Sequence, residues 1–141
     1  MSARSHPGPR PGDPPQGGAR CPFCAEAAGS NVVETCGSVV AVPDARPVTR
    51  GHLLVIPRRH AADLFEMTAE ELRDAVTLLG ALRRRAIRED GSITGFNVGA
   101  NCGASAGQRI MHAHIHFIPR RDGESPRRGG VKGVIRNKLA Y

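Results

Sequence analysis

The 141-residue chain has no tryptophan, one tyrosine and four phenylalanines. So sparse an aromatic set offers little for bases to stack on, which speaks against a nucleic-acid binder. No apolar run approaches the roughly 20 residues of a membrane span. The opening stretch, MSARSHPGPRPGDPPQGGAR, also lacks the apolar centre that a secretory leader needs. A soluble, cytoplasmic protein is therefore expected. Residues 1–20 are rich in Pro, Gly and Arg and cannot bury enough apolar surface to offset their ordering entropy, so a disordered tail is expected there, with His6 inert. Only four cysteines occur, and without a leader they point to a reducing compartment, where thiols serve metals or chemistry more often than disulfides.

What is present is the make-up of one globular domain: a hydrophobic share of 40%, a charged share of 23%, and length enough for a core without staples. The net charge of +7 is weighted toward the end of the chain. There Arg120, Arg121, Arg127, Arg128, Lys132, Arg136 and Lys138 stand against only Asp122 and Glu124. Such a segment suits a polyanion, either nucleic acid or a phosphorylated small molecule. A solvated charged tail is the alternative.

SVVAV (Ser38 to Val42) and HLLVIP (His52 to Pro57) read as two strands that pair, joined by the Pro- and Gly-punctuated PDARPVTRG. HAADLFEM suggests a short helical turn. The long helix begins at Thr68, which has capping-box spacing to Glu71, and Leu72, Val76, Leu79, Leu82 and Ala86 form its apolar stripe. Arg83, Arg84, Arg85 and Arg88 near its end complement the helix dipole, and Gly91 is placed to stop it. GFNVG reads as a third strand, followed by the small-residue loop ANCGASAGQ, where backbone amides can approach a ligand. Arg109 to Ile118 alternates and predicts a strand with His112, His114 and His116 on one face and Met111, Ala113, Ile115 and Phe117 on the other. The class is α+β: a mainly antiparallel sheet with one long helix and short helical turns, the helices on one side.

Neutral imidazole serves as nucleophile, base or metal ligand. Three of them stepped by about 6.8 Å per two strand residues can share one phosphate, because phosphoryl transfer mostly requires positioning and charge stabilisation. A single strand histidine is commonly structural, and a metal site involving one of the three is a further alternative. The pair Cys21 and Cys24 in CPFC fits half a zinc site, a redox pair or two buried thiols, whereas Cys36 and Cys102 read as small residues of strand and loop.

HAHIHFIP has the H-x-H-x-H-x-x pattern of the histidine triad (HIT) superfamily. CPFC, GHLLVIPRRH after an Asp-containing loop, the long helix and GFNVGANCGASAGQ resemble that superfamily's successive landmarks over residues 21–120. The tail IPRRDGE…PRRGGVKGVI is similar to that of the bacterial and archaeal branch often labelled dinucleoside polyphosphate hydrolases. The resemblance implies a HIT domain at 21–120 between the tail and a basic segment at 121–141. It implies a nucleotide hydrolase or transferase in which His114 attacks the α-phosphate and forms a nucleotidyl-histidine that water resolves. The main-chain carbonyl of His112 would hold the His114 ring, His116 would contact phosphate oxygens, and His52 would complete the site. Asp44 would bind the ribose hydroxyls, and Asn101, Gly107 and Gln108 would hold the phosphates and leaving group. Arg109 departs from the pattern, since the family usually has Ser or Thr there; a cation at that place suits an extra phosphate or merely faces solvent.

In family members with the cysteine pair, zinc is completed by two histidines, which implies structural Zn²⁺ on Cys21, Cys24, His60 and His112. A homodimer is implied as well. Dinucleoside polyphosphates are the first substrate class. Nucleoside phosphoramidates are the second, and a nucleotide-binding protein with little turnover is the alternative from another class.

Overall fold

The computed structural model describes residues 21–124; the expected tail at 1–20 and the part of the basic segment beyond Glu124 lie outside the described residues. Helix α1 (Pro22–Ala27) is followed by β1 (Glu34–Cys36), β2 (Val39–Pro43), β3 (Leu53–Pro57), α2 (Ala69–Glu89), β4 (Ile93–Gly99) and β5 (Ile115–Arg121). Short 3₁₀ turns at Leu64–Glu66 and Ala104–Ala106 precede α2 and β5. The five strands form one sheet in the order β1-β2-β3-β5-β4, and every neighbouring pair is antiparallel.

Local signals set the long helix. Thr68 accepts from the Glu71 N–H while the Glu71 carboxylate accepts from the Thr68 N–H, so two otherwise unpaired donors are satisfied at the helix start. Glu71 is buried and also takes a forked hydrogen bond from Arg59 at 2.8 and 3.0 Å. The Arg59 guanidinium holds the Glu71 carboxyl below its ordinary range. This pair ties the chain just after β3 to the start of α2. The helix ends with Glu89, two residues before the expected stop at Gly91, and Asp90 caps it by donating its N–H to the Ala86 carbonyl.

The stripe expected to be apolar is rotated. Ala75, Leu78 and Leu82 face the core, with Leu79 and Ala86 beside them, while Leu72 is 37% and Val76 69% exposed. Two adjoining stripes of α2 are apolar, and periodicity alone does not choose between them. Strand alternation divides the sheet into two faces. Val39, Ala41, Val55, Ile115 and Phe117 meet α2, and Val40, Val42, Leu54 and Ile56 meet Ala27 and Phe23 of α1. Helices therefore lie on both faces, not one, because the six-residue α1 in the CPFC turn covers the second face.

The β1–β2 hairpin turns at Gly37, whose φ of +53° lies in the left-handed region; a β-carbon there would collide with the Asp74 carboxylate that accepts from Ser38. The final strand is shorter at its start than expected. Residues 109–114 are not strand; pairing begins at Ile115, and Met111 is 44% exposed instead of joining the core. The chain is held there by Ala113, whose N–H donates to the Ala61 carbonyl at 2.7 Å.

Candidate active site and metal-ligand cluster

The pairing of β3 with β5 places Leu54 opposite His116, so His52, two residues earlier on the same face, lies diagonally against His116. The Val48 N–H donates to His52 Nδ1 at 3.0 Å, which puts the proton of neutral His52 on Nε2. That Nε2–H faces His116 Nδ1 at 2.9 Å, leaving the His116 proton on Nε2. Asp44 lies beside them, its Oδ2 3.4 Å from His52 Nε2 and 3.9 Å from His116 Nδ1, while Oδ1 accepts from the Arg46 N–H. Burial first, then the charges of His114 and His52, push His116 down to about 4, against the opposing pull of Asp44. His116 is accordingly neutral at pH 7 and acts as a hydrogen-bond donor.

His114 is oriented by the segment that leads into β5. Its Nδ1 lies 2.8 Å from the His112 carbonyl, which can only accept, so the N–H is on Nδ1 and the lone pair on Nε2. His112 does not share this open face. It is fully buried, donates from Nε2 to the Pro57 carbonyl at 2.8 Å, and turns Nδ1 toward two thiols. The expected row of three imidazoles is thus a row of two, with the first member turned inward where the strand has not yet begun.

Cys21, Cys24, His60 and His112 close on one point, with ligand atoms all within 4.8 Å of one another. Cys21 Sγ and Cys24 Sγ each lie 3.5 Å from His112 Nδ1, and Cys24 Sγ lies 3.4 Å from His60 Nδ1. Bonds of about 2.3 Å to sulfur and about 2.0 Å to nitrogen require an S···N edge of roughly 3.5 Å in a tetrahedron. The four residues therefore fit zinc. The Pro57 carbonyl supplies the outer partner that a ligating imidazole needs to present the right nitrogen. Burial, followed by the hydrogen bond and charge of Cys21, pushes the Cys24 thiol up to about 11, so two thiolates there call for a compensating cation. Asp44, His52 and His116 also approach one another, but the proton on His52 Nε2 points into that trio and makes it a hydrogen-bonded group.

The small-residue loop lies between β4 and β5 in the chain. Gly107 has φ +92°, and Asn101 is buried with its amide nitrogen 3.5 Å from where a β-carbon on Gly107 would stand. Gln108 is buried, and its amide ties the loop to the segment after β3: it donates to the carbonyls of Ala62 and Ile110 and accepts from the Gly103 N–H. Arg109 is exposed. Arg120 bonds Asn97, and Arg121 bonds Asp90. Five strand residues separate His116 from Arg121, about 17 Å, so this part of the basic segment lies away from the histidines. Residue type assigns Pro57, Val48 and Phe23 no place at the site: Pro57 reads only as the end of a strand, Pro57 and Val48 take part through main-chain atoms, and Phe23 reads only as the interior of CPFC.

Fold and site together define an α+β protein whose open antiparallel sheet brings together histidines on and just before two neighbouring strands, beside a Cys₂His₂ cluster. A family model described as "HIT domain" matches residues 26–123, and the chain belongs to the HIT family. It is 38% identical over 108 residues to an uncharacterised HIT-like protein of Mycobacterium tuberculosis, covering 74% of each chain. It is also 34% identical over 93 residues to the asymmetrical bis(5'-nucleosyl)-tetraphosphatase of Schizosaccharomyces pombe, covering 66% of this chain and 50% of that one. Among solved structures, a HIT family protein from Bacillus anthracis is similar with a TM-score of 0.68, 33% identity, and coverage of 75% of this chain and 77% of that one. A zinc-bound histidine triad family protein from Mycobacterium smegmatis is similar with a TM-score of 0.60, 35% identity, and coverage of 74% and 77%. No helix among the described residues is long and apolar enough to cross a membrane.

Proposed function

We propose that the protein is a nucleotide hydrolase or transferase acting at the α-phosphate of a nucleoside monophosphate conjugate, with dinucleoside polyphosphates as the first substrate class. The observation that carries this reading is the 2.8 Å hydrogen bond from His114 Nδ1 to the His112 carbonyl, which leaves the Nε2 lone pair for attack. In the first step Nε2 bonds to phosphorus as the bond to the leaving-group oxygen breaks, and the electron pair departs with that oxygen. His116 Nε2–H donates to a phosphate or leaving-group oxygen, and His52 holds His116 in that tautomer. Water then attacks phosphorus, the P–N bond breaks with its pair returning to Nε2, and the water proton leaves to solvent. Asp44 takes the ribose hydroxyls. Asn101, Gly107 and the backbone beside Gln108 line the phosphates, and the exposed Arg109 meets the far phosphates of a longer leaving group.

Structural zinc on Cys21, Cys24, His60 and His112 would supply the positive charge that holds two thiolates together and fixes α1 to the start of β5. The tetraphosphatase relative supports the substrate class, and the zinc-bound relative supports the metal. The working unit is the HIT domain over residues 21–120 in a cytoplasmic homodimer that does not need nucleic acid. β4 supports the dimer, as it stands at the end of the sheet with Val98 51% exposed. The test is mass spectrometry of protein quenched during turnover of diadenosine tetraphosphate. A nucleoside monophosphate adduct on His114 is expected; turnover that persists in His114→Ala with no adduct would sink the mechanism.

A further inference from the structure

Phe23 lies inside the C-x-x-C turn and has no part in the chemistry described so far. Its ring is edge-on to two histidines, with a centroid 5.0 Å from His114 at 69° and 6.0 Å from His112 at 89°. The side chain also packs against the buried cluster of Ala27, Val40, Val42, Leu54 and Ile56. The hydrogen bond from His114 Nδ1 to the His112 carbonyl fixes one ring atom, but the torsion that swings an imidazole about its stem is broad. Attack requires Nε2 to be aimed as well as unprotonated, and small errors in aim are expensive in rate. Two ring contacts restrict that swing: Phe23, and His116 at 5.3 Å and 71°. Phe23 is itself held, because Cys21 and Cys24 flank it and both direct their sulfurs to His112 Nδ1.

We propose that Phe23 is a positioning residue that sets the ring of His114, and that it links the Cys₂His₂ cluster to the attacking nitrogen through α1. The inference rests on the reading of His114 as the nucleophile. One cluster then acts on His114 by two routes, the carbonyl of His112 and the ring of Phe23.

The experiment compares wild type with Phe23→Leu, which keeps apolar volume against the α1 face of the sheet, and with Phe23→Ala. Metal content and thermal unfolding are measured first, and Phe23→Leu is expected to keep both. The readouts are histidine side-chain ¹⁵N NMR and the steady-state constants with diadenosine tetraphosphate. Wild-type His114 is expected as a single Nδ1–H tautomer, and both variants as an averaged pair. In Phe23→Leu, kcat is expected to fall about tenfold, equivalent to about 1.4 kcal/mol, with KM changed by less than about twofold. An unchanged kcat with a single tautomer retained would overturn the proposal. A raised KM at constant kcat would also overturn it and make Phe23 a substrate contact. If wild type turns over no nucleotide conjugate, the proposed reaction fails, and the NMR result alone decides the role of Phe23.

Discussion

His112 and His114 are two residues apart, and each gives a ring N–H to a main-chain carbonyl, His112 to Pro57 and His114 to His112 itself. Their remaining lone pairs meet different surroundings. His112 is fully buried and turns Nδ1 to two sulfurs at 3.5 Å, whereas His114 is half-buried, with its ring 5.3 Å from that of His116. The carbonyl partner decides which nitrogen keeps a lone pair, and burial decides whether that lone pair is enclosed with two thiols or left on a half-buried face. The same side chain thus sits in two environments because its other nitrogen is committed differently.

The largest separation between these regions is expected from their central residues. His114→Ala should lower turnover by about three orders of magnitude or more while metal content and thermal unfolding stay at wild-type values. Steady-state rates, metal analysis and calorimetry on one preparation check this, and a loss of metal would erase the distinction. Cys24→Ser should do the reverse in stability. It should release the metal and destabilise the domain on the order of 3 kcal/mol, roughly 10 °C in unfolding temperature, read by metal analysis and thermal denaturation.

A smaller effect concerns pH. His116 is held down to about 4 in the fold, chiefly by burial, while an unfolded histidine titrates near about 6.5. Between these values the unfolded chain binds more protons, so the contribution of His116 is complete above the upper value and is lost as pH falls toward the lower one. Urea unfolding across this window should show stability falling with pH, and His116→Asn should flatten the slope. The smallest effect is assigned to Arg109. Arg109→Ser should shift the kcat/KM preference for diadenosine tetraphosphate over a nucleoside phosphoramidate by about threefold, the scale of an exposed charge interaction. An unchanged ratio would leave Arg109 to solvent.

The elements legible in the sequence are those with local causes. The capping box of Thr68 and Glu71 announces α2, and the apolar alternation around Val39–Pro43 and Leu53–Pro57 announces β2 and β3, which pair as expected. β1 was missed because three residues carry no period, and it exists as the partner of β2. α1 was missed for a similar reason: six residues starting with Pro22 form a helix only against the sheet that Ala27 and Phe23 cover. The four residues of the cysteine and histidine cluster followed from family resemblance, and the structure brings all four together. Alternation placed His114 and His116 on a shared face, but it misplaced His112, because strand geometry begins only at Ile115.

By itself, the sequence determined the class of the fold, the long helix with its cap, the two thiols on one turn and the spacing of the histidines. Tertiary structure alone decided which partner each imidazole nitrogen meets. Cys21 meets His112 across 91 positions of sequence, His52 meets His116 across 64, and Pro57 meets His112 across 55. A tautomer depends on the atom facing the ring, and here those atoms arrive from distant segments as the antiparallel sheet closes. Residue type and spacing state that an imidazole is present; the carbonyl or amide brought against it states which nitrogen is free.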